Sequence, residues 1–426
     1  MRPKRTVALL LTVVAASPLS AQQPPAQPFE TPPTIAASDL LLPEMLRGRR
    51  FTVAELVPTD GWTARFTLRS DFGPFEVAGT ELLATRIAEL EAIATLDEIS
   101  KTSVFAESAK KAAVKPVRAV KAVVDEPVET AKALPAGVGR FFKRTYRKVR
   151  KGVHDAKDAK ADAAARARGE EVPAAQGPAA DATTGQKVGG VAKDVFGWNG
   201  ARRQWARQLR IDPYTTNPVL SEKLDDVAWA AFSGGLAIGV VMPGLPGPVG
   251  TVTTASNLVW DLPPIDLEAR NEKALAEMGA EGRLVRDFFR NEWFTPTLQT
   301  RAVVALEQMR VPGRREVVAS AAAIPSEEEA LFLVGALERL ARLHEKEAPL
   351  DRLVVDDGVV SALDRKGAVV LAIPDDYVSW TEEVADVFAV YRGAAPAVWV
   401  AGRVSARARQ ELATRGWTVY ENLQPR

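Results

Sequence analysis

A mixed α+β chain built in several parts is the fold class this sequence predicts, and three observations predict it. Strand-like alternation is confined to residues near 51–77 and to about 350–426. Helical periodicity fills most of what lies between. Low-complexity stretches separate these parts, so the reading is a small N-terminal β-meander plus helix, basic amphipathic helices, a helical middle domain and a C-terminal small parallel α/β unit.

The chain opens with a positive Arg2, Lys4, Arg5 cluster, an apolar run from Val7 to Ala16, and small residues at Ser20-Ala21. That pattern predicts a secretory signal peptide over 1–21, cleaved after about Ala21, and hence a periplasmic or cell-envelope protein. Residues 22–48, with Gln23-Pro24-Pro25 and Thr31-Pro32-Pro33, read as a flexible tether. Over 49–100 the sequence turns to a small α/β piece. Phe51 and Val53, then Leu56-Val57, form short strands. Pro58-Thr59-Asp60-Gly61 is a turn, and Phe66 and Leu68 alternate with Arg65, Thr67 and Arg69 in a half-buried strand. Thr80 is placed to cap a helix whose stripe is Leu83, Ile87, Leu90 and Ala94.

Charge is unevenly spread. The whole chain carries 55 Lys and Arg against 54 Asp and Glu. Residues 101–151 hold fourteen Lys or Arg and only four Asp or Glu. The same segment repeats with an eleven-residue spacing: Phe105 to Ala112 aligns with Pro116 to Val123 and with Pro127 to Leu134. Eleven residues make three helical turns, so Lys110, Lys121 and Lys132 return to one position beside an apolar face. Pro116, Pro127 and Pro135 divide it into short helices, which are marginal in water and need a surface. The stretch that follows, Arg140, Phe142, Lys143, Arg144, Tyr146, Arg147, Lys148 and Arg150, is a basic amphipathic helix with aromatics. Such a helix is held by an anionic membrane surface, or else packs on the acidic remainder of its own chain. Over about 45 residues the pattern resembles the Pro-punctuated eleven-residue lipid-surface helices of apolipoproteins and synucleins. The expected partners are an anionic membrane surface or an acidic envelope protein. Export argues against nucleic acid.

Residues 152–190, rich in Ala, Asp, Lys and Gly, read as a disordered linker. Residues 191–349 read as a helical domain. Thr295-Pro296 and Ser326 with Glu329 mark helix starts, and Leu267 to about Arg290 has helical periodicity. Within this domain 227–260 is 34 residues without a charge. It reads either as a buried core helix with a Gly/Pro loop or as a membrane-inserted hairpin.

Residues 350–426 form the C-terminal α/β domain. Val369–Ile373 is a strand buried on both faces, Val378 to Tyr391 a helix, Ala397 to Ala401 a strand, Ser405 a helix cap, and Trp417 to Tyr420 a strand. A hairpin around Asp357-Gly358 is expected at its edge.

Chemistry-bearing patterns are few. The chain has no Cys and two isolated His, His154 and His344, so neither disulfides nor a zinc site is expected. No phosphate loop, nucleophile elbow or dinucleotide fingerprint is present, and no cofactor is expected. Ligands of parallel sheets bind beyond the strand ends, where Asp375, Asp376, Arg403 and Ser405 fall. The sequence thus favours an exported, non-enzymatic envelope protein that associates with a surface or partner through its basic segment. The alternative is a periplasmic enzyme or small-ligand-binding protein with its site at those strand ends.

Overall fold

The structure is a computed structural model that describes residues 28–114, 185–236, 253–356, 358–391 and 396–422. It is mixed α+β, and three hydrophobic cores organise it.

The N-terminal part contains β1 (Thr34–Ala36), α1 (Ala37–Leu40), α2 (Pro43–Leu46), β2 (Arg47–Gly48), β3 (Phe51–Val53), β4 (Leu56–Pro58), β5 (Arg65–Ser70) and β6 (Gly73–Ala78). Strands β2-β3-β5-β6 form an antiparallel sheet, and β1 pairs with β4. The alternation works as the sequence predicts: Phe66 and Leu68 are fully buried while Arg65 and Arg69 face solvent. Residues 34–48 are more ordered than a tether. Ala37 is fully buried, its N–H donates to Glu55 O at 2.7 Å, and Leu41 packs into the meander core. The Pro-rich composition before Thr34 hides this, because the order comes from pairing with residues twenty positions on.

Helix α3 (Thr80–Ser100) buries Leu83, Leu90 and Ala94, with Ile87 packed beside them. Helix α4 (Ser103–Val114) turns Phe105 and Ser108 inward and leaves Lys110 exposed. Helix α5 (Gly185–Leu209) begins six residues inside the stretch read as linker. Both α4 and α5 pack on α6 (Pro218–Gly234). A Cβ at Gly234 would lie 2.1 Å from Ser108 O, and one at Gly197 would lie 2.2 Å from the Phe232 ring. Glycine therefore sets both helix crossings. The uncharged stretch starts inside α6: Val227, Ala228 and Ala230 are core residues, and Gly235 (φ +75°) closes the helix in the left-handed conformation. Residues 237–252 lie outside the described residues. Among the described residues, no helix is long and apolar enough to cross a membrane.

Five further helices follow α7 (Thr254–Asp261): α8 (Pro264–Glu277), α9 (Arg283–Arg290), α10 (Pro296–Met309), α11 (Arg314–Ala323) and α12 (Glu327–Lys346). The periodic stretch 267–290 is two helices rather than one, because Gly279 and Gly282 take positive φ between them. The predicted caps form: Thr295 Oγ1 accepts from Leu298 N–H and Ser326 Oγ accepts from Glu329 N–H, each at 3.2 Å. His344 is half-buried and its Nδ1 accepts from Leu350 N–H at 3.0 Å.

The C-terminal sheet runs β13-β11-β9-β8-β7, from β7 (Leu350–Asp356), β8 (Val359–Asp364), β9 (Val369–Ile373), β11 (Ala397–Val400) and β13 (Thr418–Tyr420). Strands β9, β11 and β13 are parallel; β7 and β8 are the edge hairpin. One face of β9 (Val370, Ala372) shares a core with α12, so the helical part and the sheet are not separated at 349–350. The other face (Val369, Leu371, Ile373) packs on α13 (Glu382–Val390) and α14 (Ala406–Thr414). The predicted helix from Val378 starts four residues later. Tyr377–Val378 forms β10, which pairs with β12 (Arg403–Val404), and Thr381 caps α13 by accepting from Val384 N–H at 3.2 Å.

Candidate functional site

The carboxyl ends of β9 and β11 bring two of the four predicted side chains, Asp375 and Asp376, into a polar junction. Asp375 and Asp376 lie between β9 and β10, and Gly402 leads into β12. A Cβ at Gly402 would sit 1.8 Å from Asp376 O, so the two strand ends touch backbone to backbone. Gly402 N–H donates to Asp375 O at 3.0 Å and Arg403 N–H to Asp376 O at 2.9 Å.

Elements from the far end of the sequence cover this junction. The Asp376 carboxylate accepts from Thr80 N–H at 3.0 Å and from Ala64 N–H at 3.2 Å. It thereby caps α3, whose own preceding residue, Gly79, has no side chain for the task. Burial pushes the Asp376 carboxyl up, against the opposing pull of these N–H donors and Arg339. Asp375 accepts from Thr63 Oγ1 at 3.0 Å. Its own burial, then the charges of Asp376 and Asp60, push it up to about 7, against the Thr63 hydrogen bond and the attraction of Arg339.

Beside the aspartates runs a half-buried ion network. Arg301 of α10 donates to Glu338 Oε1 at 2.8 Å and Oε2 at 2.7 Å, and to Glu81 Oε1 at 2.6 Å. Burial raises the Glu81 carboxyl, but the pull of Arg301, with Arg339 and Arg342, leaves it below its ordinary value. Gly335 of α12 allows this approach, since a Cβ there would meet Pro374 at 2.8 Å.

Ser405 does cap its helix, accepting from Ala408 N–H at 2.9 Å, but its hydroxyl donates to Glu30 Oε2 at 2.6 Å. The Glu30 carboxylate thus sits on the capping hydroxyl of the helix and also accepts from the Trp380 N–H. Arg403 is exposed and does not join the two aspartates. Trp62 of the N-terminal turn stacks on Phe388 at 6.3 Å, and Phe388 on Trp380 at 6.3 Å, forming an aromatic wall at the same mouth.

Sequence reasoning located Asp375, Asp376 and Ser405 correctly at strand ends and missed Glu30, Thr63, Glu81 and Arg301. Their only signal is spatial: Ser405 and Glu30 are 375 positions apart. A separate open cavity of about 340 Å³, lined by Met278, Arg310, Arg314, Arg315 and Glu316, was also not anticipated.

Of the basic segment, Lys110 is exposed on α4. Lys121, Lys132, Arg140, Phe142, Lys143, Arg144, Tyr146, Arg147, Lys148 and Arg150 lie outside the described residues, as does His154. Among the described residues no group of three or more His, Cys, Asp or Glu is placed to hold a metal ion. Comparison with known proteins finds no matching family model, no matching curated protein and no matching solved structure.

Proposed function

We propose that this is an exported, non-enzymatic protein of the bacterial cell envelope that associates with an anionic membrane surface through residues 101–151. The observation that carries the reading is topological. Helices α4 and α5, which bound residues 115–184, both pack on the single helix α6. The described helices on either side of the segment with the eleven-residue repeats and the Arg140–Lys151 run therefore rest on one and the same helix. Its first repeat uses Phe105 and Ser108 against α6 and holds Lys110 and Lys111 toward solvent. A basic amphipathic helix gains roughly 1 kcal/mol per Lys or Arg near an anionic lipid surface, added to its apolar burial. The strand-end mouth, where an enzyme of this architecture would hold its substrate, is filled by the protein's own residues, which favours the non-enzymatic reading.

Co-sedimentation of the full chain with phosphatidylglycerol-containing and with purely phosphatidylcholine vesicles tests this. The expected result is binding to the anionic vesicles at low salt. A chain with the seven basic residues of 140–151 changed to Gln should bind at least tenfold more weakly. Equal partition onto both vesicle types, or no binding at low salt, would overturn the reading.

A further inference from the structure

The mouth of the C-terminal unit already holds a peptide, and the peptide is the chain's own. Pro28, Phe29 and Glu30 cross the ends of β10 and β12 and the start of α14. The Glu30 N–H donates to Trp380 O at 2.8 Å, and the Trp380 N–H returns a bond to Glu30 Oε2 at 2.5 Å. The same oxygen accepts from the Ser405 hydroxyl, and Arg407 donates to Pro28 O at 2.8 Å. Phe29 packs against the core formed by α13 and the outer face of the sheet. Ser405 is nearly fully buried and satisfies two demands at once: its lone pair caps α14, and its proton is left for a carboxylate. Arg403, Arg407 and Arg409 stand around the mouth, with Glu421 as a counter-charge to Arg409.

One main-chain bond, one aromatic anchor and one carboxylate held by the Trp380 N–H and the Ser405 hydroxyl are elements of linear-peptide recognition. The three residues meet this surface through Trp380, Ser405 and Arg407, and Phe29 packs on a core supplied mainly by residues 369–417 together with Trp62, Phe332, Val359 and Leu363. We infer that this mouth is a receptor groove for an extended segment of a partner protein in which an aromatic residue precedes a glutamate, and that Pro28–Glu30 holds it closed until such a segment displaces it. A tethered segment competes at a high effective concentration, so the groove in the intact chain is nearly silent to free peptide.

The test uses a fluorescent peptide of residues 26–32 and the full chain. A Phe29→Ala/Glu30→Ala chain is expected to bind the peptide at least tenfold tighter than the unchanged chain. Adding Ser405→Asp to it should reduce binding at least tenfold with no fall in melting temperature, because Asp still caps α14 but repels the glutamate. A peptide with Gln at the position of Glu30 should bind at least tenfold more weakly. The inference is overturned if the opened chain keeps its melting transition yet binds no peptide, or if Ser405→Asp leaves binding unchanged. It is also overturned if both the double variant and Glu30→Gln alone unfold the protein, since the segment is then a structural staple.

Discussion

Replacing Asp375 by Asn should remove much of the protein's loss of stability as pH rises from about 4 through about 7. The carboxyl titrates at about 7 in the folded protein against an ordinary 3.8. Between those values the native state holds a proton that the unfolded chain has released. Stability from this group is therefore complete below about pH 4 and is lost as pH rises through about 7. The displacement corresponds to about 4 kcal/mol at most. Water reaches one edge of the half-buried side chain, so about 2 kcal/mol is the working expectation. Asn keeps an acceptor for Thr63 Oγ1 and mimics the protonated acid at every pH. Urea unfolding of both proteins, repeated from about pH 4.5 to about pH 8, measures the effect. The two should be close in stability at the acid end, and the variant more stable by about 2 kcal/mol at the alkaline end. Parallel curves across that range would refute the burial and like-charge argument at this junction.

Three more outcomes are expected. Asp376→Ala leaves the N–H groups of Ala64 and Thr80 without their acceptor, at about 1–3 kcal/mol each, so unfolding free energy should fall by about 2–4 kcal/mol in denaturant titration. Gly402→Ala forces a Cβ into Asp376 O and should lower stability by about 2–3 kcal/mol, read as a drop in melting temperature. Arg301→Met removes the shared partner of Glu81 and Glu338; a loss of about 1–2 kcal/mol that shrinks in high salt is expected from thermal melts at two ionic strengths.

What was legible in the sequence was what is local. The β5–β6 alternation, the caps Thr295, Ser326 and Ser405, and the apolar run of β9 each announce themselves within a few residues, and each forms. The break between α8 and α9 was legible too, in Gly279 and Gly282, but periodicity on both sides masked it. The cap of α3 was not. Its start looked self-capped by Thr80, yet the acceptor comes from Asp376, 296 positions away. Residues 34–48 were hidden for the same reason, since β1 acquires its order from β4. At the strand ends, positional reasoning found Asp375, Asp376 and Ser405 because sheet topology fixes where strand ends fall. It had no means of seeing that Thr63, Thr80 and Glu30 fill the space in front of them.

That closure sets an order of events for folding. The first described residues reach their partners only among the last: Glu30 meets Trp380 and Ser405, and Thr63 meets Asp375. Contacts of such sequence separation form late and slowly, because the chain between them must first be ordered. The α5–α12 helices can assemble from neighbours, but the cover that Phe29 and Trp62 give to the aromatic cluster of the C-terminal unit requires the opposite end of the chain. A partly folded molecule thus presents Trp380 and Phe388 to its surroundings, and the segment that finally covers them was made first.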